Sequence, residues 1–302
     1  MLIVIKDADF SANNVGKVSV PKKLDHFTLD ALEASHNTGL AEDKKQALNT
    51  FFSEMGAFGN ENNLWSKFDM VYLPFLVSGM EYSLMNYKDN TTKVTPNTSY
   101  FSKVNGGIKP IADFKDDAYK LKISSDYVFD YRNKSTLFLA TENVNTETAH
   151  NYAGVICQYA GGASFKRWGV DNSGAHAPYN VIVPLTIIDN NFQSIASNMD
   201  DVYVYDDGLD VGVRGISCNG TNVYFMSNNG IVKSSAVKSG ADSYVSTDAG
   251  PIYYNSELAT GAISEHAKYK ALGGLIIGNY LTGNEMQTVR ISLMKLYNAF
   301  FE

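Results

Sequence analysis

The period of the hydrophobic positions changes twice along this chain. Leu2 to Ile5 and Val15 to Val20 read as short strands around the turn-prone Ser11-Ala12-Asn13-Asn14, and Pro21 closes the second, so a small β arm is expected. From Leu24 to Phe68 the spacing becomes helical, with Phe27, Leu29 and Leu32, then Leu40, Ala47, Leu48, Phe51, Phe52 and Met55 separated by charged residues. Two or three helices are predicted there, and Leu64 to Asp69 reads as one further helical turn. Met70 to Val77 is a continuous apolar run ended by Ser78-Gly79. It suits a buried strand or a packed connector, and Pro74 argues against a central strand.

Beyond residue 80 the texture is strand and turn almost to the end. Ala118 to Ile123, Thr136 to Thr141, Val155 to Tyr159, Ser164 to Val170, Val181 to Ile188 and Asp201 to Tyr205 have ordinary strand lengths, and Gly, Asn, Asp and Ser cluster between them. Asn222 to Ser234 carries the clearest local signal, a hairpin in which Asn229-Gly230 supplies the positive φ angles of a primed turn. Gly274 to Gly278 is a short apolar strand, followed by a helix to the end of the chain. Thr282 and Glu285 have the spacing of a capping box, and Met286, Val289, Leu293, Leu296, Tyr297 and Phe300 fall on one stripe that must cover something apolar. The fold class predicted is mainly β, an antiparallel β-sandwich of the jelly-roll kind over residues 78–302, preceded by a small α+β module over 1–77.

Composition narrows the function classes. A chain of 302 residues buries a sizeable core without disulfide or metal support. The formal charge of −7 leaves no basic surplus for phosphates, and no stretch interleaves aromatics with Lys and Arg, so nucleic acid is not an expected partner. Cys157 and Cys218 are the only cysteines, too sparse for a disulfide framework or a zinc site, and read as buried thiols. Met1 to Asp7 lacks a basic n-region, a full apolar h-region and a cleavage site, so no signal peptide is expected and the chain reads as made and kept in a cytoplasm. No run of about 18 uncharged apolar residues occurs, so no membrane span is expected.

Gly278 to Thr282 with the helix after it, the hairpin around Ser227 to Gly230, and Phe51 to Ala57 followed by Leu64 to Pro74 together resemble segments of a family of phage and prophage virion proteins that carry a concanavalin-like (laminin-G-like) domain. Gly278-Asn279-Tyr280-Leu281-Thr282 with the helix after it is similar to the strand-to-helix ending of those proteins. The hairpin around Ser227-Asn228-Asn229-Gly230 is similar to one placed late in their sandwiches. Most distinctive is Phe51 to Ala57 followed by Leu64 to Pro74, which resembles the helix, the W-x-K-x-D-x-x-Y pattern and the apolar run preceding the lectin-like part. The resemblance implies a concanavalin-like fold in a fibre, tail-tip or head-decoration subunit. Its partners would be other virion proteins and, for host-surface adhesion, a host glycan. It also implies a subunit made in the host cytoplasm and found in the virion, commonly as a symmetric homo-oligomer.

Site chemistry is sparse. Asp200, Asp201, Asp206, Asp207 and Asp210 crowd one stretch, and concanavalin-like folds often hold Ca2+ on such loops. Asp206, Asp207 and Asp210 are therefore candidate ligands, while turn formation around the strand Val202 to Tyr205 explains the cluster equally well. His26, His36, His150, His176 and His266 lack metal-site spacing. No nucleophile elbow occurs, since Gly161-Gly162-Ala163-Ser164 lacks its final Gly, and no Glu-x-Asp-x-x-Glu strand pattern marks a glycosidase. A non-enzyme is expected. Among 19 Tyr, 16 Phe and 2 Trp, the residues Tyr152, Tyr159, Trp168 and Tyr179 lie in or beside the Gly-rich central segment and are the candidate glycan-binding or partner-binding aromatics. Core filling accounts for such residues as well.

The leading expectation is thus a virion structural protein whose first 77 residues attach or oligomerise and whose remainder displays a lectin-like sandwich. A free or cell-surface lectin is the first alternative. A glycosidase on the same scaffold is the second.

Overall fold

In a computed structural model the protein is described over residues 23–59, 63–76, 79–104, 107–111, 121–128, 130–142, 155–158, 167–176, 179–188, 191–193, 197, 204–206, 211–226, 230, 232–240, 250–254 and 271–301. The β arm expected before residue 21 lies outside them. Two helices come first, α1 (His26–Ala34) and α2 (Glu42–Met55). The strands follow as β1 (Phe68–Tyr72), β2 (Leu84–Met85), β3 (Lys93–Val94), β4 (Phe101–Val104), β5 (Gly107–Pro110), β6 (Leu121–Tyr127), β7 (Thr136–Glu142), β8 (Val155–Gln158) and β9 (Arg167–His176). After them come β10 (Tyr179–Ile188), β11 (Asn191–Gln193), β12 (Val204–Asp206), β13 (Val211–Cys218), β14 (Asn222–Met226), β15 (Val232–Ala236), β16 (Gly250–Tyr254) and β17 (Leu272–Gly278). Helix α3 (Gly283–Phe301) closes the chain.

The protein is mainly β, and every strand pairing among the described residues is antiparallel. One sheet runs β15-β14-β13-β7-β17-β5-β4, with β1 on the same flank of β17 as β5. The other runs β11-β10-β9-β8-β16-β6, with β12 beside β10. Leu121, Ile123 and Ile252 of the second sheet share one core cluster with Ile108, Ile216, Val223, Phe225, Leu272, Leu275 and Ile277 of the first. Strands β6 and β16 of the second sheet therefore pack against a face of the first.

The first sheet is buried on its opposite face as well. Phe138, Ala140, Val213, Met226 and Ile276 pack with α1, α2 and α3, so neighbouring residues such as Leu275 and Ile276 belong to different cores. Burial on both faces explains why β17 reads as a continuous apolar run rather than an alternation. Helix α3 supplies the cover expected of it: Met286, Val289, Leu293, Leu296 and Tyr297 are all buried, each contributing about 1.5–3 kcal/mol. Its capping box is formed, with Thr282 N–H donating to Glu285 Oε2 at 2.8 Å and Glu285 N–H donating to Thr282 Oγ1 at 3.3 Å.

Two local details differ from the sequence reading. The hairpin of β14 and β15 exists, but Met226 pairs with Val232, whereas a two-residue turn on Asn229-Gly230 would pair Met226 with Lys233. The connection is thus odd-numbered, and Gly230 (φ 84°) serves a longer loop. The apolar run from Met70 stops being a strand after Tyr72, because Pro74 opens a 3-10 turn over Pro74–Leu76. Elements on both sides of the boundary expected at residues 77 and 78 meet in one core: Phe51, Phe52, Trp65, Phe68 and Val71 pack with Ile276, Leu293 and Tyr297.

Candidate functional site

The W-x-K-x-D-x-x-Y segment lies where the two sheets meet at their edges. Trp65 enters the helical core, with its ring 5.3 Å from Phe27 and 5.5 Å from Phe52, edge to face in both cases. Lys67 reaches across to Glu285 of the capping box at 2.5 Å. Phe68 and Met70 pair with consecutive β17 residues, Gly278 and Ile277, so Asp69 is the extra residue of a β-bulge. The bulge lets Phe68 face the helices while Met70 and Tyr72 face the inter-sheet core. Gly278 makes it possible, since a Cβ there would stand 2.2 Å from Lys67 O and 2.8 Å from Phe68 Cα. Asn279 N–H then donates to Lys67 O at 2.7 Å.

Beyond β1 the chain folds back as the β2–β3 hairpin. Asn86 substitutes its side chain for a ladder partner: its Oδ1 accepts from Val71 N–H at 3.0 Å and Lys88 N–H at 3.2 Å, while Tyr87 N–H donates to Val71 O at 2.8 Å. Asp89 Oδ1 accepts from Thr91 N–H at 2.9 Å and Thr92 N–H at 2.8 Å, an Asx turn that shapes the hairpin tip. Opposite them runs β6, an edge strand of the second sheet.

Between these pieces lies a cleft of about 550 Å3 lined by Asp69, Met70, Tyr72, Asn86, Asp89, Thr92, Val94, Lys122 and Ile123. Asp69 Oδ2 accepts from Tyr127 Oη at 2.7 Å and stands 3.7 Å from Lys134 Nζ. Burial opposes the charge on Asp89, but the Thr91 and Thr92 donors outweigh it and hold its carboxyl below the usual carboxylate range. Burial, helped by the Asp89 charge, pushes the Tyr72 phenol up to about 12, so it keeps its proton. Lys88 turns away from the cleft, its Nζ 2.6 Å from Trp65 O and 4.9 Å from the Trp65 ring centroid. Carboxylate, amide, hydroxyl and ammonium groups thus stand beside the apolar Met70, Val94 and Ile123, a mixture suited to a small polar ligand with one apolar face.

The residues singled out in the sequence lie elsewhere. Trp168 is on β9, between Cys157 of β8 and Thr186 of β10; Tyr179 opens β10 opposite His176; Asp206 ends β12 opposite Asn180. Tyr152, Tyr159, Asp207 and Asp210 fall outside the described residues. Among the described residues no three His, Cys, Asp or Glu side chains gather as a metal site, and no helix is long and apolar enough to cross a membrane. Cys218 is a free buried thiol pushed up to about 12 by burial. Asn97 and Asn219 each accept the backbone N–H two residues on, as turn formers do. Asp69 sits in the most distinctive sequence pattern, yet Asn86, Asp89 and Lys122 carry only turn and edge-strand signals, and nothing local joins them to it.

No protein-family model and no curated protein matches the chain. Solved structures do. A mutant Trypanosoma rangeli sialidase displaying trans-sialidase activity aligns with 86% of this chain and 40% of its own at 10% identity and a TM-score of 0.46. Congerin II in a lactose- and MES-liganded form aligns with 52% of this chain and 98% of its own at 13% identity and a TM-score of 0.30. The carbohydrate recognition domain of Emp47p aligns with 54% and 78% at 10% identity and a TM-score of 0.32. All three fall below a TM-score of 0.5 and add nothing to what the strand pairing shows. The chain spans only 33% of the length of another Trypanosoma rangeli sialidase structure that it matches. The class defined by fold and site is a mainly β protein whose described residues form two large antiparallel sheets and the β2–β3 hairpin, with a polar cleft between β1, that hairpin and β6.

Proposed function

We propose that this chain is a non-catalytic carbohydrate-recognition protein with a concanavalin-like sandwich, displayed on a particle and binding a saccharide in the Asp69–Asp89–Lys122 cleft. The cleft itself carries the reading: carboxylates and an ammonium to exchange hydrogen bonds with hydroxyls stand beside Met70, Val94 and Ile123, against which the C–H face of a sugar ring packs. A glycosidase would need a carboxylic acid that keeps its proton near neutral pH. Asp89, held ionised by the Thr91 and Thr92 donors, does not supply that acid. The phage setting rests on the three segment resemblances alone. In that setting the saccharide belongs to the host surface and the protein is an adhesion subunit.

A glycan array probed with the purified full chain tests the binding claim. Saturable binding that Lys122→Ala weakens at least about fivefold, with the melting temperature unchanged, is the expected result. Binding untouched by changes in the cleft would refute the site, and turnover of the bound glycan would refute the non-catalytic assignment. The particle setting is tested by searching purified virion proteins for this chain by mass spectrometry.

A further inference from the structure

Part of the apolar wall of the cleft is a thioether. Met70 lies in β1 on the side of the inter-sheet core, half-buried, and lines the cleft beside Val94 and Ile123. Met55, Met85, Met226 and Met286 are buried, by contrast, at 3% exposure or less. Met80 and Met294 are half-buried too, but among the described residues only Met70 has a hydrogen-bond donor at its sulfur, with Tyr72 Oη 3.8 Å from Met70 Sδ. Burial pushes the Tyr72 phenol up to about 12, so the hydroxyl has a proton to donate throughout the neutral range. A thioether is a weak acceptor for that proton. The hydroxyl of a side chain only 1% exposed is thus left short of a good partner.

We infer that Met70 is an oxidation site that regulates the cleft: a hydroperoxide converts its thioether to the sulfoxide, the Tyr72 hydroxyl holds the new oxygen, and ligand binding is lost. The regulatory part rests on the saccharide reading above. In the reaction the sulfur attacks the terminal peroxide oxygen, the O–O bond breaks and an S–O bond forms. The departing hydroxide or alkoxide takes the proton from the transferred oxygen and leaves as water or alcohol. Sulfur loses two electrons and the peroxide gains them. With sulfur and phenol oxygen 3.8 Å apart, an oxygen bonded to that sulfur comes within hydrogen-bond reach of Tyr72. The buried phenol then gains a strong acceptor in place of a weak one. A sugar ring loses on the same change, because the C–H face packed on Met70, Val94 and Ile123 now meets a polar group. Methionine sulfoxide reductase restores the thioether, which makes the change reversible.

The experiment treats the full chain with hydrogen peroxide and maps each methionine by mass, with the melting temperature and the glycan array read before and after. Met70 should gain one oxygen while Met55, Met85, Met226 and Met286 do not. Array binding should fall at least about fivefold and return after treatment with methionine sulfoxide reductase. Met70→Leu, whatever its starting affinity, should lose no binding to peroxide. Tyr72→Phe keeps the ring and removes the donor, so oxidation should lower its melting temperature further than that of the unaltered chain. A Met70 that stays reduced while Met80 and Met294 oxidise would overturn the inference, as would an oxidised Met70 with binding retained. If no glycan binds before treatment, the saccharide reading falls, and the oxidation site stands or falls on the mass map and the Tyr72→Phe melt.

Discussion

Tyr127, the last residue of β6, donates its hydroxyl to Asp69 Oδ2 at 2.7 Å and so ties the edge of one sheet to the bulge in the other. Tyr127 is buried and Asp69 only partly so, which makes this a charge-assisted bond with little competition from water on its donor side. Tyr127→Phe removes the donor and keeps the ring. A loss of about 1–2 kcal/mol is expected, seen as a lower urea midpoint at unchanged slope.

Gly278 and Lys67 make the second contact that the bulge depends on. An added Cβ at residue 278 meets backbone atoms, which have no rotamer to escape into. Gly278→Ala is expected to cost about 2–4 kcal/mol. Gly39→Ala, where nothing lies within 4 Å of the added carbon, is the control and should stay near neutral. A calorimetric melt of the two variants decides between them.

The helical layer covers a sheet face that is apolar from Phe138 to Ile276. A chain beginning at residue 78 would lose α1, α2 and β1 together, expose the side of α3 against which α2 packs and unpair one edge of β17. It should show no cooperative unfolding transition by circular dichroism. The milder Leu293→Ala keeps every element and is expected to cost about 2–5 kcal/mol, because Leu293 is fully buried.

Lys103, on the sheet-edge strand β4, is pushed down to about 8 by burial. A lysine whose folded pKa is depressed binds its proton more tightly in the unfolded chain. It therefore penalises folding below about pH 8, and stability should rise as pH climbs from about 8 towards 10.5. Lys103→Met should remove that slope and stabilise the protein at pH 7 by on the order of 1 kcal/mol, since the side chain is still partly solvated. Urea titrations at pH 7, 8, 9 and 10 measure the effect.

Much of the architecture was legible locally. The strands at Thr136–Glu142 and Val155–Gln158 start where the apolar runs do, and the capping box of α3 forms as its spacing predicts. Such features depend on residues within a few positions of one another, and hydrophobic period and turn chemistry encode them directly. The hairpin at Asn229-Gly230 shows the limit, because the pairing of Met226 with Val232 depends on register across the whole strand pair, which the turn residues alone do not set.

The sequence by itself determined the mainly β class, the helical texture before residue 68 and the covering role of α3, all of them written in short-range hydrophobic patterns. Tertiary structure alone decided that β1 joins β17 two hundred residues away, that this sheet is buried on both faces, and that Asp69, Asp89 and Lys122 line one cleft. The physical reason is that strand pairing is non-local. Which edges meet is fixed by the burial of whole faces, and no window of neighbouring residues contains that information.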